Sequence, residues 1–464
     1  MAARIVRASR VATAAAIAAA GVAVAAAGVA AGAKVPNGAV SLESALAERG
    51  VERTVLPNGL TVLSEHYPGV RSIAIGAWVR AASIHEARPQ MGVSHLLEHL
   101  VFKGTERRTA RDIASALESL GGSLDAYTAR EHTCYQARVL DEHLPQAADV
   151  LADLVFRPLL RDADLRLERK VVLEEIAMVD DTPDDLVFEL HNEALWGAHP
   201  FGYSILGTRE SVGRMVVDDI RALHRRAYHP PQIVVAASGN VEHEALLGVL
   251  AATGWGDVPR GDAERLVAPP VTPMPPCERH VEREGQQVHL VFGAPTVPHK
   301  DPRRHTLMLV NTLLGGGMSS RLFQRVREEL GLAYSVYTFQ SFHVDTGMQG
   351  VYLGTAPDTA AQAADAVRVE LARLAAEGVD ADELAMGKQQ LKGQITLSME
   401  GVTSRMYRAA AVELFDEPFL PLDAVLAKID AITQDDAREV CASFFGPERQ
   451  TLVSLGPSSD TTHT

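Results

Sequence analysis

The chain has 464 residues, a net charge of −15, 47% apolar and 5% aromatic residues. That length accommodates two or three domains with sizeable cores. The acidic balance lacks the basic footprint of a nucleic-acid binder, so no nucleic-acid partner is expected. Cys134, Cys277 and Cys441 are far apart and form no CxxC pair, so neither a disulfide framework nor a zinc knuckle follows from them.

Residues 1–40 stand apart from the rest. Arg4, Arg7 and Arg10 precede an apolar run from Val11 to Ala33, and no acidic residue occurs before Glu43. A basic start, an apolar stretch and a small-residue end resemble a secretory signal peptide. The run also approaches the roughly 20 residues that span a bilayer, so an uncleaved N-terminal membrane anchor fits too. Both readings make the protein exported, periplasmic or membrane-anchored. An acid-free, arginine-bearing start also suits an organelle transit peptide, which leaves a matrix or cytoplasmic location as the alternative.

The folded part opens with "TVLPNGLTVLSE" (Thr54–Glu65), apolar alternation broken by Pro-Asn-Gly, which predicts a β-hairpin. Next comes "MGVSHLLEHLVFKGT", whose pattern predicts a helix from about Gly92 to Phe102. His95 and His99 then lie one turn apart on one face, a spacing that lets two imidazoles reach one zinc ion. Glu98 sits beside them, where a carboxylate can take a proton from an attacking water. Two histidines fall short of the three protein ligands that a catalytic zinc usually has.

The stretch Ala126–Val139 follows a Gly-Gly turn and alternates as a strand. Its edge suits an extended peptide held by main-chain hydrogen bonds. His132, within it, is a rival ligand that lacks a helical partner. A better third ligand lies in "LERKVVLEEIAMVDD" (residues 167–181), which reads as a helix. There Glu168 and Glu175 share one face and Glu174 points elsewhere. Glu175 can complete the site, with Glu168 behind it to orient a histidine.

The chain then repeats itself. "LGGSLDAYT" (Leu120–Thr128) matches "LGLAYSVYT" (Leu330–Thr338) at Leu, Gly, Tyr and Thr without gaps. Each follows a helical stretch and precedes strands, then one amphipathic run containing "QAAD", then a further helix and a closing apolar strand, "IVVAASG" or "TLVSLG". Two homologous halves of about 200 residues each are expected, 48–257 and 284–458, with a proline- and charge-rich linker at 258–283 and a tail at 459–464. The fold class is α+β, each half a mixed β-sheet backed by helices. In the second half His305 echoes His95, but no Glu–His pair follows it, and Gln394 stands opposite Glu175. One zinc per chain is therefore expected. "LLGGGMSS" lacks the GK[ST] of a phosphate loop and reads as a helix-entry turn.

These motifs resemble the pitrilysin–insulysin–mitochondrial processing peptidase family, the inverted-motif zinc peptidases. "HLLEHLVFKGT", "LGGSLDAYT", "EHTCYQ", "LERKVVLEEI", "HPFGYSILG" and "MSSRLFQRVREELGLAYSV" match its signatures in order, over residues 50–458. The resemblance implies a zinc-dependent endopeptidase acting on peptides or unfolded segments enclosed in a chamber. It implies His95, His99 and Glu175 as ligands, Glu98 as general base and Glu168 as a further glutamate near the site. It also implies that Arg327 and Tyr334 form a pair reaching the site from the second half, with Arg325 and Tyr337 as rivals. Asp125 replaces an asparagine common in the family beside the peptide-binding edge at Asp125–Ala126, a change that would favour basic substrates. A chain of this length is half of the family's chamber, which implies a homodimer or pairing with a related subunit. The alternatives are a non-catalytic structural subunit of the same fold and a zinc hydrolase of a non-peptide substrate.

Overall fold

The structure, a computed structural model, describes residues 50–261 and 264–458. The signal- or anchor-like segment and the tail lie outside the described residues. Among those described, no helix is long and apolar enough to cross a membrane.

The first half holds six strands: β1 (Glu52–Val55), β2 (Thr61–His66), β3 (Ser72–Val79), β4 (Ser123–Thr128), β5 (Thr133–Leu140) and β6 (Ile233–Gly239). Their order is β1-β2-β6-β3-β5-β4. β2 and β6 run parallel and the other pairings are antiparallel. The second half holds β7 (Glu278–Glu282), β8 (Val288–Thr296), β9 (Ala333–Phe342), β10 (Gly347–Thr355) and β11 (Thr451–Gly456), in the order β7-β11-β8-β10-β9. Here β7 and β11 run parallel and the other pairings are antiparallel. Strand for strand, the second sheet repeats the first, with β1 as an extra edge. The two "LG…YT" stretches run into β4 and β9, the matching edge strands. Each half is the mixed sheet with helices that the repeat predicts.

The hairpin at Thr54–Glu65 forms as β1 and β2, its turn closed by Leu56 N–H donating to Leu60 O at 2.8 Å. Two expectations need correction. Ala126–Val139 is not one strand: Ala129–His132 turns the chain, and β4 and β5 pair as a hairpin. His132 sits in that turn, and short polar turns are hard to see inside alternating sequence. The stretch read as linker ends in β7, whose "ERHVE" is almost wholly exposed and so shows no apolar period. Only its pairing with β11 makes it a strand.

Each sheet is covered on one face by helices of its own half and on the other by a helix of the opposite half. The helix Val402–Leu414 lays Val402, Met406, Ala409 and Ala410 on Leu63, Ala74, Trp78, Val234 and Ala236 of the first sheet. In return, Pro183–Trp196 lays Val187 on Val291, Phe339, Tyr352, Val453 and Leu455 of the second. Burial of each large side chain stabilises this exchange by about 1.5–3 kcal/mol. It explains why β3 and β6 are buried along nearly their whole length: neither face meets water. Ion pairs mark the first contact: Glu65 of β2, 1% exposed, accepts from Arg405 Nη1 at 2.6 Å, and Arg53 and Arg80 pair with Glu413 at 2.9 and 3.2 Å.

Candidate metal centre

The helix Val93–Val101 is buried on every side, including His95, Glu98 and His99. An apolar surround leaves such polar groups in place only if they find partners. The helix packs against Asp162–Asp180, which buries Glu168 and Glu175 and exposes Glu174. The two-turn spacing read from the sequence therefore sets both carboxylates on the face that meets the histidines.

Glu175 Oε2 lies 3.7 Å from His95 Nε2 and 3.6 Å from His99 Nε2. One ligand atom from each of the three residues fits within 4.8 Å of the others, the single such cluster among the described residues. His99 Nε2 and Glu175 Oε1 are buried without a hydrogen-bond partner. Leaving a buried polar atom unpaired costs about 1–3 kcal/mol, and a cation held among these three residues would offset that cost. The donor set, two imidazoles and a carboxylate, is that of a catalytic zinc with one position open. The residues therefore fit a zinc ion.

The tautomer of His99 follows from its neighbour. Glu168 Oε2 lies 3.1 Å from His99 Nδ1, and Lys103 Nζ lies 2.7 Å from Glu168 Oε1. Burial raises the Glu168 carboxyl, but the bonds from His99 and Lys103 overcome it and hold the group below its ordinary range. An ionised carboxylate only accepts, so Nδ1 is the donor and Nε2 is the atom presented to Glu175; burial lowers the His99 imidazole, but the Glu168 bond and the charges of Glu175 and Glu98 outweigh it and raise the group. Burial pushes the His95 imidazole well below its usual value, leaving it neutral and able to bind metal. Burial also raises the Glu175 carboxyl.

Glu98 is held from the first sheet. Thr128, the last residue of β4, donates from Oγ1 to Glu98 Oε2 at 2.6 Å. Burial pushes the Glu98 carboxyl up to about 7. Side chains alternate along β4, so Ala126 shares the face of Thr128 while Asp125 and Tyr127 point to the other. Ala126 packs on the core beneath the metal helix, whereas Tyr127 packs under Val402–Leu414. Asp125 lines a cavity of about 230 Å³ there with Ser123, Gln136, Arg138 and Thr403. Asp125 is on the edge strand expected for it, with its side chain on the sheet face opposite Thr128, and its charge is among those that raise the Glu98 carboxyl.

Arg327 and Tyr334 do form a pair. Arg327 Nη1 donates to Tyr334 O at 2.8 Å and its guanidinium lies 4.6 Å from the Tyr334 ring centroid. Arg327 belongs to a π-helical turn, Phe323–Glu329, and Tyr334 is 76% exposed on β9. Of the rivals, Arg325 pairs with Glu329 and Tyr337 packs on Tyr352. Neither Arg327 nor Tyr334 makes a hydrogen bond, ion pair or ring contact to the triad. Within this chain the pair is not brought to the metal centre, because β9 is an edge of the other sheet. His132 is likewise outside the triad, its ring against Tyr127. Sequence reasoning missed Thr128 and Lys103, although both lie in quoted motifs; nothing in those motifs says which carboxylate they hold.

Sequence comparison agrees with this arrangement. The Insulinase (Peptidase family M16) profile matches residues 61–209, and the Peptidase M16 inactive domain profile matches 214–391. A Streptomyces coelicolor protein called an uncharacterized zinc protease is 40% identical over 416 residues, 88% of this chain and 90% of its own length. The chain belongs to peptidase family M16. Another relative of this M16 chain, the uncharacterized zinc protease YmxG of Bacillus subtilis, is 37% identical over 88% of this chain and 99% of its own. Two solved structures share the M16 fold. A peptidase M16 inactive domain from Pseudomonas fluorescens has a TM-score of 0.82 at 21% identity, covering 88% of this chain and 98% of its own. A protease from Helicobacter pylori has a TM-score of 0.83 at 20% identity, covering 88% and 100%.

Proposed function

We propose that this M16 chain is a zinc-dependent endopeptidase that hydrolyses peptides or unfolded segments held in an enclosed chamber. The observation that carries it is the meeting of His95, His99 and Glu175 in one buried cluster with two unpartnered ligand atoms, beside a glutamate on the same helix. The names of its zinc-protease relatives support the same reading. His95, His99 and Glu175 hold one zinc per chain. Zinc, when bound, supplies Lewis acidity that activates water and polarises the scissile carbonyl.

The remaining work falls to side chains. Glu98, fixed by Thr128, accepts the proton of the attacking water and returns it to the departing amine. Glu168 and Lys103 hold the His99 ring in register. β4, paired on one side only, offers its free edge to an extended peptide next to Glu98. Arg327 and Tyr334 act on a substrate across a chamber completed by a second copy or a related subunit, which fits the exposure of Tyr334.

Metal analysis and a peptide-library digest test this on wild type and Glu98→Gln. Zinc at one per chain in both, with chelator-sensitive cleavage only in wild type, is the expected result. A Glu98→Gln protein that still cuts removes the role given to Glu98. Purified wild type without zinc affinity removes the whole reading. A zinc-loaded wild type that cleaves no peptide favours the non-catalytic subunit or a non-peptide substrate.

A further inference from the structure

Behind the metal helix is a second buried carboxylate that the catalytic reading leaves unused. Glu86, 7% exposed, stands in the loop before the helix. Its two oxygens are split between two backbone donors: Gly92 N–H to Oε2 at 2.8 Å and Ser94 N–H to Oε1 at 2.8 Å. These are orphan donors at the helix start, where a negative charge is favoured by the dipole. Two bonds from one rigid carboxylate fix rotation as well as position, and Ser94 is the neighbour of His95.

The grip is backed from outside. Gly92 has φ +92°, and a Cβ there would meet Leu206 O at 2.6 Å; a Cβ on Gly207 would meet Met91 O at 2.5 Å. The "HPFGYSILG" loop thus presses directly on the helix entry. Arg130, which follows β4, donates to Tyr203 O in the same loop, and its carbonyl accepts from Ile84 N–H at 2.9 Å. Its charge acts on Glu86 and on Glu189 of Pro183–Trp196. Burial pushes the Glu86 carboxyl up to about 7, with the two N–H bonds and Arg130 pulling the other way. Glu189 sits on the helix next in chain order after the one carrying Glu175, and that helix covers the second sheet.

We propose that Glu86 is a positioning residue of the zinc site. It sets the rotation and depth of the helix bearing His95 and His99, while Arg130 ties the loop carrying Glu86 to the "HPFGYSILG" loop that presses on the helix entry. The inference rests on the zinc reading above and adds that the geometry of the ligands depends on a clamp about the helix entry.

The test measures zinc affinity by chelator competition and the visible spectrum of the cobalt-substituted protein, in wild type, Glu86→Gln and Arg130→Gln. The glutamine amide accepts one of the two N–H groups and sets an N–H against the other. The expected result is a folded Glu86→Gln with zinc affinity lowered about tenfold or more, as for other residues that orient metal ligands. An altered cobalt band, and kcat lowered with KM unchanged, should accompany it. Arg130→Gln should shift affinity in the same direction by less, and it carries the test if Glu86→Gln does not fold. Wild-type affinity and an unchanged cobalt band in the folded variants overturn the clamp while leaving zinc in place. A wild type that binds no zinc fails earlier and refutes the reading beneath it.

Discussion

The two halves share a sheet, a strand order and an edge motif, yet among the described residues only the first gathers a cluster that could hold a metal ion. Thr128 and Thr338 occupy the same place in the repeat. In the first half the hydroxyl donates to the Glu98 carboxylate at 2.6 Å; in the second it donates to the backbone carbonyl of Asn311 at 2.9 Å. The helix Arg304–Gly315 buries Thr306, Asn311 and Thr312 but carries no carboxylate, and His305 stands near its start. The helix Ala381–Ser398 spends Glu383 on Arg321. Duplication therefore preserved the frame, while the chemistry depends on four side chains and their immediate neighbours. The second copy is free to serve as wall and as the base on which Pro183–Trp196 docks.

The sharpest way to break this contrast is at Glu98. Glu98→Gln should lower the rate of peptide cleavage by about a thousandfold, the scale of a lost general base, with zinc retained in metal analysis. His99→Ala or Glu175→Gln should abolish both zinc binding and cleavage, since the ligand set falls to two. Arg405→Met, which leaves Glu65 buried without its main partner across the halves, should destabilise the fold by about 3 kcal/mol in denaturant titration. Glu168→Gln should weaken zinc binding about tenfold by freeing the His99 ring.

The matched threonines give the finest test. Thr128→Val should slow cleavage by about tenfold, corresponding to the loss of one charged hydrogen bond near 1.5 kcal/mol. Thr338→Val should leave kcat alone and lower stability by about 1 kcal/mol, as for a neutral bond. Equal effects of the two on kcat would mean that the second copy has a catalytic part after all.

The candidate metal residues on each helix were readable because the spacing within each helix is local. An i,i+4 pair in an apolar run lands on one helix face whatever surrounds it, and the same holds for Glu168 and Glu175. The repeat was readable because both copies kept turn and edge residues in order. Which carboxylate Thr128 would hold, that Glu86 would grip the helix start, and that Asp125 would point to the sheet face opposite Thr128 were not readable. Each depends on how a strand end or loop meets a distant element. The exchange of helices between the halves is the clearest case. Val402–Leu414 and Pro183–Trp196 are ordinary amphipathic helices, and an apolar stripe says that a face is buried but not which sheet buries it. The sequence by itself determined the duplication and the α+β class and singled out His95, His99 and Glu175 as candidate ligands, since these follow from periods of two and 3.6, from order along the chain and from the family resemblance. Only the tertiary structure decided which partners orient those ligands and which half covers which sheet, because long-range packing is set by shape and burial across elements far apart in sequence.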